Sequence, residues 1–113
     1  MDAQQALAAV RAVLVQALDD RRGLVVYTRL DALEMDQRAR AVEREALEKV
    51  RRLLEGAPPD RLLEQVRVRL GRMDEALAAL ASRTGIDERS RALERDDIVW
   101  RAFEDIAWLL GVV

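Results

Sequence analysis

Residues 63–80, LEQVRVRLGRMDEALAAL, decide the fold of this chain. Large apolar residues recur there at alternating steps of three and four positions: Leu63, Val66, Leu70, Met73, Leu77 and Leu80. This spacing places all six on one narrow stripe of an α-helix, as at the seam of a helical bundle or coiled coil. Because such a stripe is unfavourable in water, we expect the rest of the chain to supply covering helices.

Turn and capping residues divide the remaining sequence into three further helices. Asp2 and Gln5 have the spacing of a capping box, which predicts the start of the first helix, and Gly23 is expected to end it as the C′ residue. The predicted connections are short and lie at residues 22–28, 56–59 and 84–88. These signals predict an all-α, mostly antiparallel four-helix bundle, with residues 1–113 forming a single domain.

Capping residues also predict the other helix ends. Thr28 is the preferred start of the second helix, and Asp87 or Ser90 is expected to cap the fourth, which runs to about Leu110. Gly85 is the expected C′ residue of the third helix.

Composition excludes several classes of chemistry. The chain has neither Cys nor His, so disulfides, thiolate zinc sites and a histidine base are impossible. Charged residues make up 35% of the chain, yet the formal net charge is only −2, which disfavours a dedicated nucleic-acid binder. We expect no cofactor, no metal site, no membrane span and a cytoplasmic location.

The fourth helix has more apolar surface than one packing contact requires. Its main stripe is Val99, Phe103, Ile106 and Leu110, and a second flank is formed by Ile98, Ala102 and Leu109. Trp108 lies opposite Val99 among charged residues, where an indole is typical either of a contact surface or of a cation–π shelf over Arg101. We therefore predict Ile98, Ala102, Trp108 and Leu109 as interface candidates, covered by a protein partner or by a second copy in a homodimer.

A basic ridge follows one side of the third helix. Its members are Arg61, Arg69, Arg72 and Arg83. Arginines in such a row can contact phosphates, although no aromatic residues are interleaved to stack bases. Ion pairing along the flank of the bundle is the favoured interpretation, and nucleic-acid binding is the alternative.

Adjacent acids occur in the fourth helix but are not spaced to share one ion. Residues 104–110, EDIAWLL, resemble the closing motif of all-α nucleotide pyrophosphatases, whose inward carboxylates hold magnesium. That family has an acid three residues before the Asp of this motif, and Ala102 occupies the position here. Neighbouring side chains on a helix also point about 100° apart, so Glu104 and Asp105 are not expected to converge on a metal.

A second resemblance covers residues 67–110. The segments RVRL, DEAL, ALERDD and AFEDIA resemble the opening helices of HEPN-type toxin domains, which are helical bundles that often act as RNases. The catalytic Arg-x4-6-His motif of that family requires a His that this chain lacks. The resemblance thus implies a HEPN-like domain without the catalytic motif.

These observations favour a non-enzymatic protein that acts through its helix faces. We expect a small adaptor, assembly or regulatory protein, self-associating as a homodimer. The HEPN-like domain and a nucleic-acid-binding subunit that uses the basic ridge are the alternatives.

Overall fold

The computed structural model describes residues 1–27 and 32–113, without the side chains of residues 25–27. These residues form four helices: α1 (Ala3–Tyr27), α2 (Ala32–Glu55), α3 (Arg61–Ser82) and α4 (Glu88–Leu109). The described residues contain no strand. The predicted all-α four-helix bundle is confirmed.

The apolar stripe of α3 lies inside the bundle. Five of its six members are buried: Leu63, Val66, Leu70, Met73 and Leu80. The sixth, Leu77, is partly buried and packs against the same core. Residues from all four helices join this one core, in which Phe103 of α4 is fully buried.

Side-chain caps start α1 and α4 as the sequence predicted. The Asp2 and Gln5 side chains each accept a hydrogen bond from the backbone N–H of the other residue, both at 2.8 Å. Asp87, not Ser90, caps α4, because its carboxylate accepts a 2.8 Å bond from the Ser90 N–H. Hydrogen bonds from Ser90 and Arg89 lower the pKa of Asp87. The predicted cap at Thr28 lies outside the described residues.

The first predicted connection was wrong. Gly23 does not end α1, which continues as a helix to Tyr27. A glycine inside a helix costs only about 1 kcal/mol, and the contacts that α1 makes around Arg21 with α2 and α4 outweigh that penalty.

The predicted Schellman ending was also in the wrong place. α3 ends at Ser82, and Gly85 has a φ of 76° but lies two residues beyond the Arg83 cap. The motif instead closes α4, where Gly111 has a φ of 73°. There the N–H of Gly111 donates to Trp108 O (3.1 Å) and that of Val112 to Ala107 O (3.0 Å).

Two helical hairpins make up the bundle. α1 packs mainly on α2 and α3 mainly on α4, while α2 joins the hairpins through its contact with α4. The molecule measures 43 × 38 × 19 Å, and its radius of gyration of 15.1 Å exceeds the roughly 13 Å typical of this chain length. The bundle is therefore flat, and each helix keeps a solvent-facing side. None of the four described helices has the length and apolar character needed to cross a membrane.

Truncating the α3 stripe should destabilise the fold. We expect Leu70→Ala to lower the free energy of unfolding by ~2–5 kcal/mol, because Leu70 is buried and its loss leaves a cavity. Val15→Ala, at an exposed position of α1, is the control and should change it by less than about 0.5 kcal/mol. Urea melts measure both; equal midpoints for the two variants would show that α3 does not bury this stripe.

Candidate functional site

Glu43 of α2 is a fully buried charged residue. It is not among the residues predicted from the sequence, although it lies on the buried side of α2 with Ala46, Leu47 and Val50. Glu43 precedes Leu47 by four residues and Val50 by seven, so its helical spacing was the signal for burial.

Two arginines and a second carboxylate surround Glu43. Arg21 of α1 places Nη1 2.6 Å from Glu43 Oε2 and 2.7 Å from Glu104 Oε1 of α4. Arg40 of α2 donates from Nη2 to Glu43 Oε2 at 3.0 Å. Its Nε lies 2.6 Å from Glu43 Oε1, an ionic contact that is not aligned as a hydrogen bond. These four residues, the ionic cluster, connect α1, α2 and α4.

Aromatic rings of α4 lie beneath both arginines of the cluster. The guanidinium carbon of Arg21 is 5.3 Å from the ring centroid of Phe103, and that of Arg40 is 5.7 Å from the ring centroid of Trp100. Both distances are within the range of cation–π contacts. Partial burial acts to lower the pKa of Arg21, but hydrogen bonds to Glu104 and Glu43 and the charges of both outweigh it and raise that pKa. Arg21 therefore stays charged.

The ionic cluster positions helices and does not present a reactive group. The Glu43 carboxylate contacts Arg21 and Arg40, and its side chain is inaccessible to solvent. Since a buried carboxylate without partners would be strongly unfavourable, Glu43 constrains how α1, α2 and α4 can pack. Through the Arg21–Glu104 pair, the cluster adds a polar restraint on which side of α4 faces inward.

Large apolar residues are exposed to solvent on the opposite side of α4. Trp108 is 72% exposed, Leu93 is 57% exposed and Trp100 is 37% exposed. At 100° per residue, these three share one stripe with three charged residues. We call the set the outer stripe; its members are Leu93, Asp97, Trp100, Arg101, Glu104 and Trp108.

The carboxylates on the solvent-facing side of α4 are already ion-paired within the chain. Asp97 Oδ2 lies 3.0 Å from Arg101 Nε, Glu104 pairs with Arg21, and Asp105 Oδ2 lies 3.1 Å from Arg69 Nε. Arg101 is engaged with Asp97, and the cation–π contacts found in the described part of the chain involve Phe103 and Trp100. The alternative of a Trp108 shelf over Arg101 is therefore wrong.

The four interface candidates do not form one surface. Ile98, Ala102 and Leu109 are partly buried and pack against the core of the bundle itself. The second flank of α4 is thus used within the chain, contrary to the reasoning that left it uncovered. Trp108 is the member of the set that faces solvent.

Half of the basic ridge is engaged in ion pairs. Arg69 pairs with Asp105, and Arg83 Nη1 lies 2.7 Å from Glu94 Oε2. Arg61 and Arg72 are exposed on α3 and remain available to a partner. Two of the four ridge arginines are therefore engaged in the ion pairing that the sequence favoured.

The acids of α4 have separate arginine partners. Glu104 contacts Arg21 while its neighbour Asp105 contacts Arg69, and Asp96 Oδ1 lies 3.1 Å from Arg44 Nη2. Within residues 1–27 and 32–113, no group of three or more potential ligand residues is placed to hold a metal ion.

A cleft opens between the first turns of α2 and the first turns of α4. Its volume is about 380 Å³, and its walls include the exposed apolar side chains of Leu33 and Leu93. Leu33 is 58% exposed and lies across the cleft from the outer stripe. Apart from Leu33, Leu93 and Ala92, the lining is charged or polar, so the two leucines face each other across a mixed surface.

Comparisons of the chain with models of known families, with curated proteins and with solved structures find no match.

Neutralising the buried carboxylate should destabilise the protein strongly. Glu43→Gln keeps the side-chain size but removes the negative charge that pairs with Arg21 and Arg40. We expect the free energy of unfolding to fall by ~2–4 kcal/mol, near the range for breaking a buried ion pair. Glu45→Gln, at an exposed position paired with Lys49 at 3.6 Å, should change it by less than about 0.5 kcal/mol. Urea midpoints that coincide for the two variants would contradict the role of the ionic cluster.

Proposed function

We propose that this protein is a non-enzymatic interaction module, a cytoplasmic adaptor, assembly or regulatory protein, that self-associates through the outer stripe of α4. The observation that carries the proposal is Trp108, whose indole is 72% exposed on that stripe. Trp is enriched among the residues that dominate binding energy at interfaces. Two further large apolar residues, Leu93 and Trp100, lie on the same stripe, so the indole belongs to an extended surface.

The charges of the outer stripe suit burial against another protein surface. Asp97 and Glu104 are each neutralised by an arginine of the same chain. A partner can therefore cover the stripe without leaving an unpaired carboxylate, which would be costly. A polyanion such as a nucleic acid would be attracted only weakly to a surface whose charges are neutralised in this way.

The basic ridge supports the nucleic-acid alternative less well. Asp105 and Glu94 already occupy Arg69 and Arg83. Arg61 and Arg72 alone provide little of the multi-cation surface on which phosphate binding depends.

A second copy of the chain is the partner that we propose. Two-fold dimers are the commonest closed assemblies of soluble proteins, because one surface patch serves both subunits. The formal net charge of −2 opposes association only weakly.

Trp108→Ala should weaken the dimer without changing the fold. We expect a loss of at least ~2 kcal/mol of association free energy, about 30-fold in Kd, if Trp108 is the main anchor. Size exclusion with light scattering over a dilution series measures the loss, and circular dichroism should show unchanged helix content. Val15→Ala, an exposed apolar position on α1, is the matched control and should leave Kd unchanged.

A wild-type chain that remains monomeric at high micromolar concentration would overturn the self-association proposal. Equal weakening by Trp108→Ala and Val15→Ala would show that α4 is not the surface involved.

The proposal also predicts no metal-dependent nucleotide hydrolysis. Glu104 and Asp105 contact separate arginines, so they are not arranged to bind one magnesium ion. Phosphate release from nucleoside triphosphates with magnesium should equal that of a protein-free blank. Release that disappears in Asp105→Asn would contradict the non-enzymatic assignment.

A further inference from the structure

An open groove lies between α3 and α4 on the outside of their hairpin; we call it the α3–α4 groove. Its volume is about 280 Å³. The floor is apolar and consists of Met73, Ala76, Ile98 and Ala102. Met73 is buried and the other three are partly buried. An apolar segment laid along this floor would therefore remove further apolar surface from water.

Arginines form most of the walls of the α3–α4 groove. Arg69 and Arg72 belong to α3 and Arg101 belongs to α4, and Asp105 is the one carboxylate among the described residues that line the groove. Asp105 Oδ2 lies 3.1 Å from Arg69 Nε, and Arg69 Nη1 donates to the Gln65 backbone and side-chain oxygens, both at 3.1 Å. Arg69 is thus occupied, and its pair with Asp105 bridges the two helices.

The other two arginines of the groove remain accessible to a ligand. Arg72 is exposed and has no ion pair with any residue that the structure describes. Arg101 pairs with Asp97, yet its side chain is 74% exposed. Three arginines against Asp97 and Asp105 leave the groove with a formal charge of +1. The surface therefore attracts an anionic ligand and disfavours a cationic one.

The two accessible arginines lie on opposite walls at nearly the same height. Because α3 and α4 are antiparallel and Arg69 is level with Asp105, Arg72 is level with Ala102, the neighbour of Arg101. A ligand that lies on the apolar floor thus meets one guanidinium on each side. Guanidinium groups bind carboxylates through charge-assisted and often bidentate hydrogen bonds.

From these contacts we infer that the α3–α4 groove binds an acidic amphipathic helix of another protein. The apolar stripe of that helix covers the floor, and its flanking carboxylates contact Arg72 and Arg101, as in other helix-in-groove complexes. The inference goes beyond the self-association proposed above, because it concerns the α3 side of the hairpin and a different partner. A nucleic acid has no apolar stripe to cover the floor, and it would meet only these two accessible arginines in the groove.

Titration of the ¹⁵N-labelled full chain, at low micromolar concentration, with a synthetic peptide tests this inference. The peptide carries leucines along one stripe of a helix and glutamates on both sides of that stripe. A second peptide has the same composition in an order that disperses the leucines. We expect the first peptide to shift the amides of residues 69–76 and 98–105, and the second to bind about tenfold more weakly, since it cannot cover the floor.

Substitutions in the groove should weaken binding of the first peptide while helix content stays unchanged. Arg72→Gln should raise Kd about five- to tenfold by removing a charge-assisted contact. Its matched control, Arg61→Gln, removes the same charge from an exposed position of α3 outside the groove and should change Kd by less than about twofold. Ala76→Glu places a carboxylate on the floor and should abolish binding, whereas Ala78→Glu, exposed on another side of α3, should have little effect.

The outcomes that overturn the inference are distinct. Equal binding of the two peptides, or equal weakening by Arg72→Gln and Arg61→Gln, would show attraction by charge without a site. Shifts confined to the outer stripe would place the peptide elsewhere, and a first peptide that does not bind at high micromolar concentration removes the inference. An oligonucleotide that binds with the same dependence on Arg72, when the peptide does not, identifies a nucleic acid as the occupant. Light scattering without peptide tests self-association separately.

Discussion

The arrangement of the helices depends on the ion pairs that the buried carboxylate of Glu43 makes. An anion removed from water needs close cations, and these come from Arg40 of the same helix and Arg21 of α1. Arg21 extends the constraint to α4 through Glu104, and each arginine also lies over an aromatic ring of α4. The rotation of α4 about its axis is therefore restricted by polar contacts as well as by apolar packing.

The fixed rotation of α4 about its axis explains which of its residues face solvent. With Val99, Phe103 and Ile106 facing the core, Trp108 must face solvent. Three carboxylates on this side of α4 are neutralised by arginines from α1, α3 and α4. The surface that remains is apolar at its ends and electrically balanced between them, which suits contact with another protein better than contact with a polyanion.

The sequence predicted the helices better than their ends and their charges. Periodic apolar spacing identified the α3 stripe and the inward side of α4 because burial of large side chains dominates those positions. Gly23 was misjudged since helix propensity is a weak preference that tertiary contacts override. Glu43 was overlooked because a carboxylate is rarely buried, and its partner Arg21 is 22 residues away in sequence.

The interface candidates also show what could not be predicted from the sequence alone. Counting apolar residues on a helical wheel indicated that α4 has a surplus, but it could not show that Ile98, Ala102 and Leu109 pack within the bundle. Only the three-dimensional arrangement separates these from Trp108.

Amide chemical shifts of the ¹⁵N-labelled wild-type chain, recorded over a dilution from high to low micromolar concentration, test the proposed interaction surface most directly. We predict concentration-dependent shifts at the outer stripe of α4 and around Leu33, with the exposed side of α3 unaffected. Spectra that do not change with concentration, or changes centred on Arg61 and Arg72, would contradict the assignment of α4 as the interaction surface.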